Sequence, residues 1–296
     1  MATLRDIKHR IQSVESIKKI TQAMKMVATA KLRRVQNQVE SSRPYFQKLR
    51  EDITTLLTTV EGDFSHPFIE KREEIKNIAV IAIASDRGMC GSFNTNIFKH
   101  IISEIENTYS KQFPEAKIYI IPIGKKTVSY FQKHTYPILS SFINIADNLK
   151  FELVQDILSP LEKKYINGEL DAIFVHYSKF VSQVKQEPSS IQLLPIALDS
   201  DNSKDTHKHN IDFIFEPNKK QILENLIPRL IDSNFWSALL ETTAAEHAAR
   251  RLAMDNATRN ASDMIQNLTL TYNNVRQANI TKEIIEIVSA ANAQAL

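Results

Sequence analysis

The last 61 residues, Trp236 to Leu296, contain neither glycine nor proline and carry alanine at 244, 245, 248, 249, 253, 257 and 261. Alanine has the lowest helix cost of any residue, so the stretch predicts one unbroken helix on the order of 90 Å long. Such a helix needs a partner along its length, because its apolar stripe must be covered. The only other segment of matching length and pattern is the first 60 residues.

That first arm places apolar residues at Leu4, Ile7, Ile11, Val14, Ile17, Ile20, Met24 and Val27, then at Val35, Val39, Phe46, Leu49, Ile53, Leu56 and Val60. Steps of three and four predict a coiled-coil seam. Pro44 lies inside it and removes one backbone hydrogen bond, which predicts a kink or short break rather than an end. The C-terminal arm repeats the pattern at Ala257, Ala261, Ile265, Leu268, Tyr272 and Val275, then shifts register to Ile280, Ile284, Ile287 and Ala291. Both arms leave one central insert, so they are expected to run antiparallel.

All five glycines fall between Gly62 and Gly168, which concentrates turns in the middle of the chain. There, Lys76–Ala84 and Lys117–Ile123 read as buried strands separated by a helical stretch over Asn94–Gln112. Strand, glycine turn, helix, strand is a βαβ unit and implies a parallel sheet. Shorter helices are expected at Thr127–His134 and Phe151–Ile166, and strands at Asp171–Tyr177, Ser178–Gln186, Ile191–Ile196 and Ile211–Phe215. Asp199–Asn210 reads as a polar loop, and Pro228 as a joint before the alanine-rich helix. The fold class is therefore α/β, a long antiparallel helical pair with a βαβ domain between its arms. The expected divisions are 1–60, 61–216 and 217–296.

Net charge is +3 over the chain, but residues 1–50 hold 12 Lys and Arg against 3 Asp and Glu, a local +9. Such an arm attracts something acidic. With no aromatic residue before Tyr45 to stack on bases, a solvated face or an acidic protein partner suits it better than nucleic acid. No run of 18 apolar residues predicts a transmembrane helix. The basic start is read as mature sequence, because its apolar stripe continues past Ile20. One cysteine, Cys90, excludes an internal disulfide and suits a reducing compartment.

Three features are candidates for chemistry. Ser85–Asn94 presents glycines between strand and helix, as a phosphate loop would, yet Gly88 and Gly91 give neither GxGxxG nor a Walker pattern. A structural turn is the expectation there, with Cys90 an inert thiol. His207-Lys208-His209 lacks nearby Cys or carboxylate ligands and is not expected to hold a metal. At the C-terminus, by contrast, no side chain after Glu286 is charged, which suggests a tip enclosed in an apolar sleeve.

Ile7-Lys8-His9-Arg10-Ile11 with Ile17-Lys18-Lys19-Ile20-Thr21-Gln22-Ala23-Met24-Lys25-Met26-Val27-Ala28, then Ser85-Asp86-Arg87-Gly88-Met89-Cys90-Gly91, then Tyr272-Asn273-Asn274-Val275-Arg276-Gln277-Ala278-Asn279-Ile280-Thr281 resemble the gamma subunit of F-type ATP synthases. The resemblance spans essentially the whole chain, with three separated motifs in order. It implies a Rossmann-like insert and a non-catalytic rotor shaft without cofactor or bound nucleotide. The shaft would turn inside a ring of alpha and beta subunits, its insert docked with epsilon on the membrane c-ring. It further implies that Lys18, Lys19, Met24, Lys25 and Met26 form a collar toward acidic beta-subunit loops. Arg276 and Gln277 would meet a polar beta loop, and Ile287, Val288 and Leu296 would turn in the apolar bearing. A bacterial subunit, peripheral on the cytoplasmic face of the inner membrane, is the expected setting. The chain lacks the paired-cysteine insertion of the chloroplast pattern. The competing expectations are a coiled-coil adaptor, which needs no enclosed tip, and a nucleotide-binding enzyme built on Ser85–Asn94.

Overall fold

A reciprocal cap opens the first helix: Thr3 N–H donates to the Asp6 carboxylate at 3.0 Å and Asp6 N–H donates back to Thr3 Oγ1 at 3.2 Å. From it, α1 runs Leu4–Thr59. The computed structural model describes residues 3–59, 65–70, 72, 74–146, 149–196, 216 and 218–294. Along the chain α1 is followed by β1 (Asn77–Ile83), α2 (Phe93–Glu104), a π turn (Ile105–Tyr109), α3 (Ser110–Gln112), β2 (Lys117–Ile123) and α4 (Lys125–Phe131). Then come α5 (Glu152–Ile166), β3 (Ala172–Phe180), β4 (Gln186–Leu194) and α6 (Lys219–Gln294). Glu61-Gly62-Asp63, the polar loop, the strand expected at Ile211–Phe215 and Leu296 lie outside the described residues.

Neither Pro44 nor Pro228 ends its helix, and Pro160 likewise lies within α5. Pro44 sits within α1, and α6 passes through Pro228 where the sequence suggested a joint. Proline costs a helix about 3 kcal/mol. On α6 the buried Leu223, Ile227, Leu230 and Ile231 flank Pro228 and hold both sides of it against the core. Packing outweighs the missing bond.

The chain forms two compact units, one of residues up to Thr29 with those from Arg250 on, the other Ala30–Ala249. In the second, four strands lie in the order β2-β1-β3-β4. β1 pairs in parallel with β2 (Val80↔Ile120) and with β3 (Val80↔Phe174), while β4 returns antiparallel (Val175↔Ile191). Alternate residues of β1 feed different cores. Ala79, Ile81 and Ile83 pack with Leu158 and Leu161 of α5 and Phe235 and Leu239 of α6, whereas Ile78, Val80 and Ala82 pack with Ile97 and Ile101 of α2. A strand covered on both faces reads as a continuous apolar run, which is why its periodicity is silent.

The hairpin corrects the sequence reading. Two strands were expected at Asp171–Tyr177 and Ser178–Gln186, but β3 continues to Phe180 and β4 begins only at Gln186. The turn between them has no glycine or proline. Ser182 makes it instead, its Oγ accepting the N–H groups of Val184 and Lys185 at 3.3 and 3.0 Å. Gly124, between β2 and α4, is required by geometry: its φ is +100°, and a Cβ there would sit 2.3 Å from the Ala84 carbonyl oxygen.

Candidate functional site

In the unit formed by the two termini, α1 and α6 pack antiparallel, and two polar contacts fix how. The Thr21 and Thr258 hydroxyls lie 2.9 Å apart, and Lys25 Nζ is 2.5 Å from Asp255 Oδ1. Arg259 also pairs with Asp255 from one turn further along α6. The Asp255 carboxyl is held below its ordinary range, first by the hydrogen bond from Lys25.

These contacts show that the seam of α1 differs from the one its apolar residues suggested. Buried and half-buried positions follow Leu4, Ile7, Ile11, Val14, Lys18, Thr21, Lys25, Ala28 and Leu32, alternating steps of three and four without a break. Ile17, Ile20 and Val27 are instead 52%, 59% and 57% exposed. The cause is the partner face: α6 offers Asp255 and Thr258 at this level, so Lys25 and Thr21 turn inward. On α6 the expected seam at Ala261, Ile265, Leu268, Tyr272 and Val275 is buried or half-buried as written.

The candidate contact residues are therefore distributed over distinct environments. Lys18 and Lys25 are half-buried in the seam, and the Lys25 ammonium already has a carboxylate partner. Lys19 and Met26 are exposed and Met24 is half-buried. With Ile17, Ile20 and Val27, which the sequence reading had placed in the seam, Met24 completes an outward apolar stripe at steps of three, four and three. The signal for that stripe was present as a second apolar series, but only the cross-helix partners decide which series faces in.

Partners such as Thr21 with Thr258 and Lys25 with Asp255 place residue 4 of α1 opposite about residue 275 of α6. Beyond that level α6 continues as a single helix. Arg276 and Gln277 are exposed at the start of this extension, and every described side chain from there to Ala291 is exposed. Its apolar residues include Ile280, Ile284, Ile285, Ile287 and Val288, the last two 68% and 52% exposed.

The glycine turn is closed upon itself. Ser85 Oγ–H has the Arg87 carbonyl and Asn94 Oδ1 within 2.7 and 2.9 Å, Ser85 N–H donates to Asn94 Oδ1 at 3.2 Å, and Asn94 Nδ2 lies 3.4 Å from the buried Cys90 Sγ. Asp86 Oδ1 accepts the N–H groups of Lys125 and Asn144, tying this turn to the loops after β2. Open α/β sheets hold ligands outside the carboxyl ends of their strands. Here α6 covers that region, with Thr242 Oγ1 3.3 Å from the Ser178 N–H and with Ala245 and Ala249 packed against Ala82, Ala84 and Phe93. Among the described residues no three or more His, Cys, Asp or Glu gather to hold a metal ion, and no helix is long and apolar enough to cross a membrane. His207 and His209 lie outside those residues.

One polar cluster stands apart from these surfaces. Tyr109, presented by the π turn, places its hydroxyl 2.9 Å from Nε2 of His176 on β3, and the His100 ring from α2 lies 5.5 Å away centroid to centroid. His176 is fully buried, and burial pulls its pKa down to about 3.

The ATP synthase family profile matches residues 3–294. The ATP synthase gamma chain of Chloroherpeton thalassium is 40% identical over 300 residues, covering 99% of this chain and 98% of its own. That of Desulforamulus reducens is 39% identical over 293 residues, covering 99% of each. Among solved structures, the rotor of the Euglena gracilis mitochondrial ATP synthase superposes with a TM-score of 0.64 at 19% identity, over 94% of this chain and 98% of the other. The central stalk of the Tetrahymena thermophila enzyme gives 0.57 at 21% identity, over 80% and 99%. Identity near 40% along the full length, together with the same fold, makes this chain a member of the ATP synthase gamma chain family.

Proposed function

We propose that this chain is the central rotor shaft of an F-type ATP synthase, a non-catalytic subunit that couples ion-driven rotation of a membrane c-ring to the catalytic sites of surrounding beta subunits. The observation that carries the reading is the single-helix end of α6. Ile280, Ile284, Ile285, Ile287 and Val288 have no cover among the described residues, and no charged side chain follows Glu286. Exposed apolar surface of this kind marks a place where another protein fits. A sleeve of alpha and beta subunits around a turning helix supplies such a cover without specific polar bonds that would resist sliding.

The outward stripe Ile17, Ile20, Met24 and Val27, with exposed Lys19 and Met26 beside it, is then the collar. Arg276 and Gln277 are placed to hydrogen-bond a polar beta-subunit loop, where a guanidinium grips carboxylates in two-point fashion. The shaft does no bond chemistry. It acts as a ligand with different affinity for each beta conformer, and differential binding shifts conformational equilibria. Epsilon and the c-ring are the proposed partners of the sheet unit, with the complex peripheral on the cytoplasmic face of a bacterial inner membrane.

The test is gentle purification of the tagged chain from its native membranes, with the accompanying subunits weighed and ATPase activity assayed. One copy with three alpha and three beta subunits and active hydrolysis supports the reading. Emergence alone would count for an adaptor, as would full function after deletion of the residues following Glu286. In assembled membranes, Arg276→Ala is expected to lower ATP synthesis while leaving the amount of assembled complex unchanged, and unaltered synthesis refutes its assigned contact.

A further inference from the structure

Between Ile17 and Ala28, α1 presents α6 with the more polar of two available faces. The inward set is Lys18, Thr21, Lys25 and Ala28, whereas the set one residue earlier, about 100° around the helix, is Ile17, Ile20, Met24 and Val27. By apolar area alone the second set belongs inside. The two cross-helix contacts oppose that rotation: turning α1 to bury the isoleucines strips Thr258 of Thr21 and Asp255 of Lys25, leaving the part-buried Asp255 Oδ1 against hydrocarbon with only Arg259, bonded to Oδ2, as partner. In coiled coils, polar residues at seam positions fix register at a cost in stability.

We infer that Thr21–Thr258 and Lys25–Asp255 form a register lock, which holds α1 in the one rotational setting that keeps Ile17, Ile20 and Val27 outward. Lys25 thus acts within the chain, on Asp255, rather than on an acidic partner outside it. The use of the lock rests on the shaft reading: a helical pair that transmits torque must not let one strand roll on the other, and an outward collar must stay outward.

The experiment uses the full chain in its assembled complex with Cys90→Ser as background. Val14→Cys with Ile265→Cys reports the observed setting, since both positions lie in the seam. Ile17→Cys with Ala261→Cys reports the rolled one, since Ile17 now faces out and Ala261 in. Lys25→Glu, which sets two carboxylates together, is expected to raise disulfide yield in the second pair about tenfold and to lower it in the first. Adding Asp255→Lys is expected to restore both yields and, in the cysteine-free background, the ratio of ions pumped to ATP hydrolysed. A second variant guards against simple misfolding: Thr21→Val, Lys25→Leu, Thr258→Val and Asp255→Leu together should keep the thermal midpoint at or above the parent value while populating both settings. The lock is overturned if Lys25→Glu leaves both yields at parental levels, if Asp255→Lys fails to rescue it, or if the four-residue apolar variant keeps a single setting. Crosslinks that follow the charge cycle while the pumping ratio stays constant would uphold the lock and overturn its use in rotation.

Discussion

Acid should weaken the sheet unit through one histidine, and the size of the effect follows from its surroundings. His176 is fully buried on β3, its Nε2 is bonded to the Tyr109 hydroxyl, and its Nδ1 has no hydrogen-bond partner among the described residues. Burial is the main cause of its depressed pKa, about 3 against an ordinary 6.5, and electrostatic repulsion from neighbouring His100 adds to it. Because the folded value lies below the unfolded one, the unfolded chain binds the extra proton. Stability is therefore whole above pH 6.5 and falls as pH drops toward 3. Between pH 7 and pH 5 the loss is about 2 kcal/mol, a figure set by the unfolded pKa for any folded value below about 4.5. The single tryptophan, Trp236, is buried in the same unit and reports its unfolding by fluorescence. Urea titrations at pH 7 and pH 5 should show this drop in the parent chain. His176→Gln, which retains a polar partner for Tyr109, should lack about 2 kcal/mol of it. If the glutamine variant loses as much stability on acidification as the parent, the buried ring is not the origin and the reasoning fails.

Three further outcomes are expected. Gly124→Ala should cost about 3 kcal/mol or more, because φ is +100° and the new methyl would meet the Ala84 carbonyl at 2.3 Å, and an unchanged urea midpoint would contradict that. Burial, and then Asp232, pushes the Glu162 carboxyl up to about 7, so its contribution to stability is lost as pH rises from 4.5 through 7; such a shift corresponds to about 3 kcal/mol at pH 8, which solvent screening of the partly exposed carboxyl reduces to about 2, so Glu162→Gln should stabilise the unit by about 2 kcal/mol at pH 8 and little at pH 4, as urea titration at the two values would tell. Ile20→Asn should leave the unfolding free energy of the isolated chain within about 0.5 kcal/mol of the parent, because the side chain is 59% exposed, while lowering ATP synthesis in assembled membranes. A large loss of stability would mean that Ile20 lies in the seam after all.

The arms were legible in the sequence because a three-four period leaves a mark that neither length nor composition can hide. Their facing was not. Between Ile17 and Ala28 two series compete, and the deciding residues, Asp255 and Thr258, lie more than 200 positions away. The same limit governs the hairpin after β3, where Ser182 closes the turn with its side chain in place of the glycine that a reader looks for. At Pro228 local chemistry argued for a joint, and buried leucines and isoleucines on both sides overrode it. The candidate contact residues divide in the same way. Arg276, Gln277, Ile287 and Val288 stand exposed on the bare helix, whereas Lys25 is committed to a partner that only folding brings near.

The helix that packs beside β1 and β3 comes later in the chain than every strand of the sheet. Until Thr242, Ala245 and Ala249 emerge, the Ser178 amide lacks its hydroxyl acceptor and the cluster around Ala82 and Ala84 has only part of its cover. Likewise Ile7 and Val14 wait some 250 residues for Leu268 and its neighbours. These particular contacts join early or middle residues to α6, so neither the edge of the sheet unit beside Ser178 nor the helical pair closes before α6 has been made.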